Sequence, residues 1–329
     1  MTHFPLPITA DADLAVLYPR LCDTDPAVRR LALIELAELE QEAHAPWLVA
    51  ALADPDPAVR AEAASRLAYW EGPETITALL DCLHDPDPAV REAAAHSLAE
   101  IRLPGSGRIL LPALGHGSAF ARAAVLRALR ELRLPESLVP ALAEAAAADP
   151  SVRLEAVGVL GWLKHGAALP VLTRLAESDP VPEVRRAAVG ALGLGMDGEA
   201  LPALLQALRD PEWRVREEAA TTLGKLRAGE AVQALIEALE DPYWQVRQRV
   251  ARTLGRLQDG RAVPALMAFA LLHSSANLRK EAAIALGEIG DSAALEGLEK
   301  ALTDGDPEVR KSARLAVAQI QLKVRVSPD

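Results

Sequence analysis

Few residue groups in this 329-residue chain could carry chemistry, and each lacks a part of the usual machinery. Gly193-Leu194-Gly195-Met196-Asp197-Gly198 has the G-x-G-x-x-G spacing of a dinucleotide loop. Such a loop holds a pyrophosphate only between a strand and a helix N-terminus. Seven histidines (His3, His44, His84, His96, His116, His165 and His273) are scattered with no i,i+4 pair, and no Cys-x-x-Cys occurs, so zinc lacks its usual frame. Glu100 and Glu131 sit at equivalent places in adjacent segments. Helix packing would hold them ~10 Å apart, wide of the ~5–5.5 Å of a retaining glycosidase pair. No Gly-x-Ser-x-Gly elbow is present for serine catalysis. The expectation is no catalytic residue, no cofactor and no metal.

Charge argues in the same direction. The net charge is −11, and residues 1–100 hold 18 acidic and 6 basic side chains. An acidic chain repels phosphate backbones, so nucleic acid is a disfavoured partner. The counter-signal is Arg102, Arg108, Arg122, Arg127, Arg130 and Arg133, with only Glu131 among them. No apolar run reaches the ~18 residues of a membrane helix, and the N-terminus has no basic region followed by an apolar one. No membrane association and a cytoplasmic address are expected.

The elements that position all of these residues are set by a repeat. An Arg, usually after Val, recurs at Arg29, Arg60, Arg91, Arg122, Arg153, Arg185, Arg216, Arg247, Arg279 and Arg310. The spacing is 31 residues, except for 32 before Arg185 and Arg279. With each Arg as position zero, apolar residues fall at −1, +3, +7 and +10, one face of an α-helix. Position +3 is mostly Ala, which lets helices approach closely. Asp at −4 and Pro at −3 (Asp25-Pro26, Asp56-Pro57, Asp87-Pro88, Asp149-Pro150, Asp306-Pro307) read as an N-cap and a first-turn Pro. A second apolar stretch lies upstream, so each repeat reads as helix A, a tight turn and helix B. Gly198, Gly229 and Gly260 read as helix-ending glycines. Cys22 and Cys82 lie two repeats apart, about 20 Å at ~10 Å per helix layer. Two free thiols and a reducing compartment are expected.

This pattern resembles HEAT repeats in the short form of phycobilisome-lyase-like proteins. The resemblance covers about residues 11–322, with an extension at 1–10 and a tail at 323–329. It implies an all-α fold, a single right-handed α-solenoid over residues 1–329 built from ten helical hairpins. It also implies a ladder of Asp and Arg six residues apart, bonding along the stack. Asp23, Asp54, Asp85, Asp179, Asp210, Asp241 and Asp304 hold the Asp place; His116, Ala147 and His273 should interrupt it. Deoxyhypusine hydroxylase is similar in scaffold, but its iron-binding His-Glu pairs are missing here. HEAT-like DNA glycosylases are also similar in scaffold and need a basic concave face.

The function implied is a non-catalytic scaffold, adaptor or maturation factor that takes a protein or extended peptide on the concave face. A phycobilin lyase-like chromophore-attachment subunit is the first alternative, and a nucleic-acid-binding HEAT-like protein the second. B helices line the concave face in such stacks, with +2, +6 and +9 expected there. At +9 most repeats carry charge or Gln, but three carry Tyr69, Trp162 and Leu194. An apolar patch is expected around Val159, Trp162 and Leu194, with Arg127 and Arg130 steering an acidic partner. Trp213 and Trp244, both at −3, are expected to stack on a second edge.

Overall fold

A computed structural model of the chain describes residues 12–115, 117–194 and 199–326. Helices and turns make up these residues, and no strand occurs among them. The fold divides into two halves, Met1–Leu163 and Lys164–Asp329.

In the first half, repeats one to five contribute the A helices Ala12–Leu21, Ala45–Ala51, Pro73–Cys82, Gly107–Ala113 and Leu138–Glu144. Their B helices are Pro26–Glu38, Pro57–Arg66, Pro88–Ala99, Ala119–Leu132 and Pro150–Leu163. The second half holds repeats six to ten. Its B helices are Pro182–Leu192, Trp213–Leu226, Trp244–Leu257, Ala276–Ile289 and Pro307–Val326.

The B helices start where the sequence indicates. Asp25, Asp56 and Asp87 each accept the backbone N–H two residues on, and a Pro fills the next place. These caps satisfy donors that the helix itself cannot. The +3 and +7 residues then turn inward. Ala63, Ala94, Ala156, Ala219, Leu98, Leu160 and Leu223 are all buried.

The ends of the B helices differ from the expectation. The left-handed residue is at +11 and is usually not glycine: Glu40, Arg133, Lys164, Arg227 and Gln258 have φ of 50–55°. Only repeat nine places a glycine there, Gly290. Gly229 and Gly260 instead open short 3₁₀ turns that lead into helix A. Gly198 lies outside the described residues.

Successive B helices pack closely through one contact. A Cβ added to Gly255 would fall 2.7 Å from Ala285 Cα, and one added to Gly193 would fall 2.7 Å from Thr222 Cγ2. The first glycine of the G-x-G-x-x-G run therefore makes room for a neighbouring helix. Residues 195–198 of that run lie outside the described residues.

The Asp–Arg ladder forms between repeats. In the first half Arg29 binds Asp54 and Arg60 binds Asp85, each through Nε and Nη2 at 2.7–2.9 Å. In the second half Arg185–Asp210, Arg216–Asp241 and Arg279–Asp304 repeat this geometry at 2.6–3.0 Å. Nη1 of each Arg donates to the carbonyl at −6 of its own turn. The Arg60 and Arg279 guanidiniums hold the Asp85 and Asp304 carboxyls below the usual carboxylate range.

One expected interruption is filled. Arg122 has Ala147 where an Asp would be, and binds Glu144 instead at 2.9 Å, one helical turn earlier. Arg91 Nη1 donates to the Asp85 and Pro86 carbonyls of its own turn, and its guanidinium lies 6.0 Å from the Phe120 ring. His116 lies outside the described residues. Arg247 bonds the Asp241 carbonyl of its own turn. The next Asp place holds His273, whose Nδ1 accepts the Ser275 N–H at 3.0 Å as an Asp carboxylate would.

Leu223 is fully buried in the middle of the second half. Leu223→Ala should therefore cost ~2–5 kcal/mol, the usual loss on truncating a buried Leu. Urea denaturation measures this, and a loss below ~0.5 kcal/mol would mean the face is wrongly assigned.

Candidate functional site

Helix B of repeat five carries Val159 and Trp162 of the expected site, and the structure treats the two differently. Trp162 sits at +9 on the last turn and remains 38% exposed. Val159, at +6, does not reach the surface: it is 1% exposed. Position +6 is the side that packs toward the preceding B helix, as Thr222 against Gly193 and Thr253 against Gly224 show in the second half. Ala128 and Ala191 at +6 are likewise buried. The expected patch thus loses Val159.

The Trp162 ring is covered by a cation rather than flanked by open apolar surface. The Arg133 guanidinium lies 4.4 Å from its centroid. Such a contact contributes roughly 0.5–1 kcal/mol at an exposed site. Arg127 and Arg130 are engaged as well. Both approach Glu155, at 2.8 and 3.6 Å, and Glu155 is buried at +2 of the same helix as Trp162. Arg102 pairs with Glu100 and Arg122 with Glu144. Most of the arginine cluster is therefore tied to acids of this half, which leaves little free positive charge for a phosphate backbone.

Tyr69 is the most open aromatic of the first half, at 80% exposure, with Trp70 edge-on at 6.3 Å. Leu194 belongs to the second half and is half-buried. Trp213 and Trp244 also lie there but do not stack on each other. Trp213 stacks on Tyr243 instead, with centroids 5.6 Å apart and planes 13° from parallel. Arg214 lies 5.0 Å from the Trp213 ring and Arg216 lies 5.6 Å from the Tyr243 ring. Trp244 stays 40% exposed. The edge is thus a stacked pair of rings with a cation against each, set by an aromatic at −4 that sequence spacing did not single out.

A cleft of about 630 Å³ between the A helices of repeats nine and ten was also missed. Met267, Leu271 and Leu272 line one side and Gly297 and Ala301 the other. Two signals marked it in the sequence: the 32-residue spacing before Arg279, and a glycine within helix A of repeat ten. Among the described residues no group of His, Cys, Asp and Glu could hold a metal ion. No helix among them is long and apolar enough to cross a membrane.

HEAT-repeat family models match residues 14–99, 45–130, 108–193, 179–244 and 232–318. The chain belongs to the HEAT-repeat family. No curated protein matches it. Among solved structures it is similar to an engineered protein, 22% identical, with TM-score 0.52 over 94% of this chain and 99% of that one. It is similar to Kap95p, solved with RanGDP, 16% identical, with TM-score 0.66 over 96% of this chain and 50% of that one. It is similar as well to the karyopherin Kap121p bound to the extreme C-terminus of the protein phosphatase Cdc14p. That match is 18% identical, with TM-score 0.58 over 94% of this chain and 41% of that one. The chain spans about half the length of these two nuclear-transport proteins or less. The likenesses show the helical solenoid fold of HEAT proteins.

The thiols are the remaining nucleophiles. Neither Cys22 nor Cys82 is in a disulfide, and burial pushes the Cys82 thiol up to about 11. A thiol reagent at neutral pH should label Cys22 first and Cys82 only after unfolding, giving two thiols per chain in denaturant. Mass spectrometry of the labelled chain checks this, and Cys82 labelling at the Cys22 rate would contradict its burial.

Proposed function

We propose that this HEAT-repeat protein is a non-catalytic scaffold or adaptor that takes a protein or extended peptide on the face formed by its B helices, the concave face of a HEAT solenoid. The reading rests on large aromatics that keep exposed surface at places where sister repeats carry charge. Tyr69 and Trp162 occupy +9, where Glu38, Glu100 and Glu131 stand in the other repeats of the first half. Exposed aromatics of this kind are over-represented among the residues that anchor partners. Similar solenoids solved with a bound protein or a bound C-terminal segment support the same class of partner. The arginine cluster adds little support for nucleic acid, because four of its six members pair with acids of the fold. Two free thiols fit a reducing cytoplasm.

Trp162→Glu tests the reading. The Trp162 side chain lies over Arg133 at the surface, so the substitution should leave the helical circular dichroism and the melting temperature nearly unchanged. A partner captured by the native chain from its own cell extract should be lost with the variant. An unfolded variant would place Trp162 in the core, and a folded variant that captures the same partner would remove this face from the proposal.

A further inference from the structure

The extra residue before Arg279 has a local consequence. It is absorbed as a π-helical turn over Leu266–Leu271, in helix A of repeat nine. Turns of this kind recur at functional sites, since they re-aim side chains without ending the helix. Opposite the turn, repeat ten carries Gly297. A Cβ there would approach Met267 Cε to 3.2 Å and Leu271 Cδ2 to 3.4 Å, so the missing side chain keeps the cleft open. The equivalent cleft between repeats seven and eight is about 240 Å³ and is lined by Arg209, Glu237 and Glu240. Arg209 and Glu237 pair across it at 3.3 Å. The cleft of repeats nine and ten is more than twice as large, and its rim carries Leu272, 78% exposed, at the place of Arg209 and Glu240. Its volume lies within the ~300–1,000 Å³ typical of small-molecule sites.

The cleft has an apolar length and a polar end. It runs along helix A from Pro264 past Met267 and Leu271 to His273 at the A–B turn. At that turn Arg279 and Asp304 are saturated by each other and by backbone groups, and they cancel in charge. Two donors remain. His273 Nδ1 accepts the Ser275 N–H, so the neutral ring carries its proton on Nε2. Lys300 is exposed and held only by a surface pair with Glu296 at 2.7 Å, a weak pairing that a ligand can displace.

We propose that this cleft binds a small amphipathic anion, an acyl chain carrying a carboxylate head. The chain lies along Met267, Leu271 and Leu272, and the head accepts from Lys300 and His273. This site is separate from the B-helix face and does not depend on the partner-binding reading.

Isothermal titration of the full chain with sodium laurate, kept below its micellar concentration, tests the proposal. Dodecyltrimethylammonium serves as the control for the head group. One laurate should bind per chain, about tenfold or more tighter than the cation. The ε-methyl resonance of Met267 should shift in step with the heat. Ala268→Trp fills the mouth from an exposed position and should weaken laurate binding at least about tenfold. Lys300→Glu should abolish the preference for the anion. The proposal is overturned by absence of saturable laurate binding to the native chain, by native-like affinity in a folded Ala268→Trp variant, or by equal affinity for the cation. The Met267 resonance in the native chain decides the matter even if a variant fails to fold.

Discussion

Where the ladder is intact, one guanidinium fastens a repeat to the next. Arg216 shows the arrangement: Nη1 donates to the Asp210 and Pro211 carbonyls of its own A–B turn, while Nε and Nη2 grip the Asp241 carboxylate of the next repeat. Asp241 in turn accepts the Tyr243 N–H and so shapes its own turn. One side chain therefore fixes two turns and the register between them. Both partners are largely out of water, so removing either would leave an uncompensated buried charge. The planar guanidinium fork suits this role in a way that Lys would not.

The ladder fixes the turns, and small residues fix the spacing of the helices. Gly at +8 admits Thr or Ala at +6 of the following B helix, and Thr253 returns a hydrogen bond to the Ala220 carbonyl at 2.8 Å. Position +6 is buried also where no glycine precedes it, as at Val159 after Arg130, while Trp162 at +9 keeps exposed surface. The extra residue of a 32-residue repeat falls in helix A. Repeat six takes it as a longer helix, Leu169–Ser178, and repeat nine as the π turn.

The period, the helix pairs, the Asp caps and the −1, +3, +7 face were all legible, because each rests on local spacing that recurs along the chain. What was not legible depended on the neighbouring repeat. Whether +6 faces solvent is decided by the adjacent B helix, which a single helical wheel does not contain. Glu144 fills the place of the missing Asp from one turn away, which only the geometry of the A helix permits. The partner of Trp213 is Tyr243 rather than Trp244, since the ring at −4 lies over the preceding turn. Arg127 and Arg130 read as free charges until Glu155 was placed between them. The cleft of repeats nine and ten was marked by the 32-residue spacing, but spacing alone does not tell a longer helix from a π turn.

The central claim is that the Arg–Asp pair joins one repeat to the next. A double-mutant cycle on Arg216 and Asp241, with each replaced by Ala singly and together and stability read by urea denaturation, measures that link directly. A coupling energy of about 1.5–3 kcal/mol is expected, in the upper range for residues of one buried network. Additivity within ~0.3–0.5 kcal/mol, the behaviour of independent sites, would contradict it and leave helix packing alone as the force that holds the repeats in register.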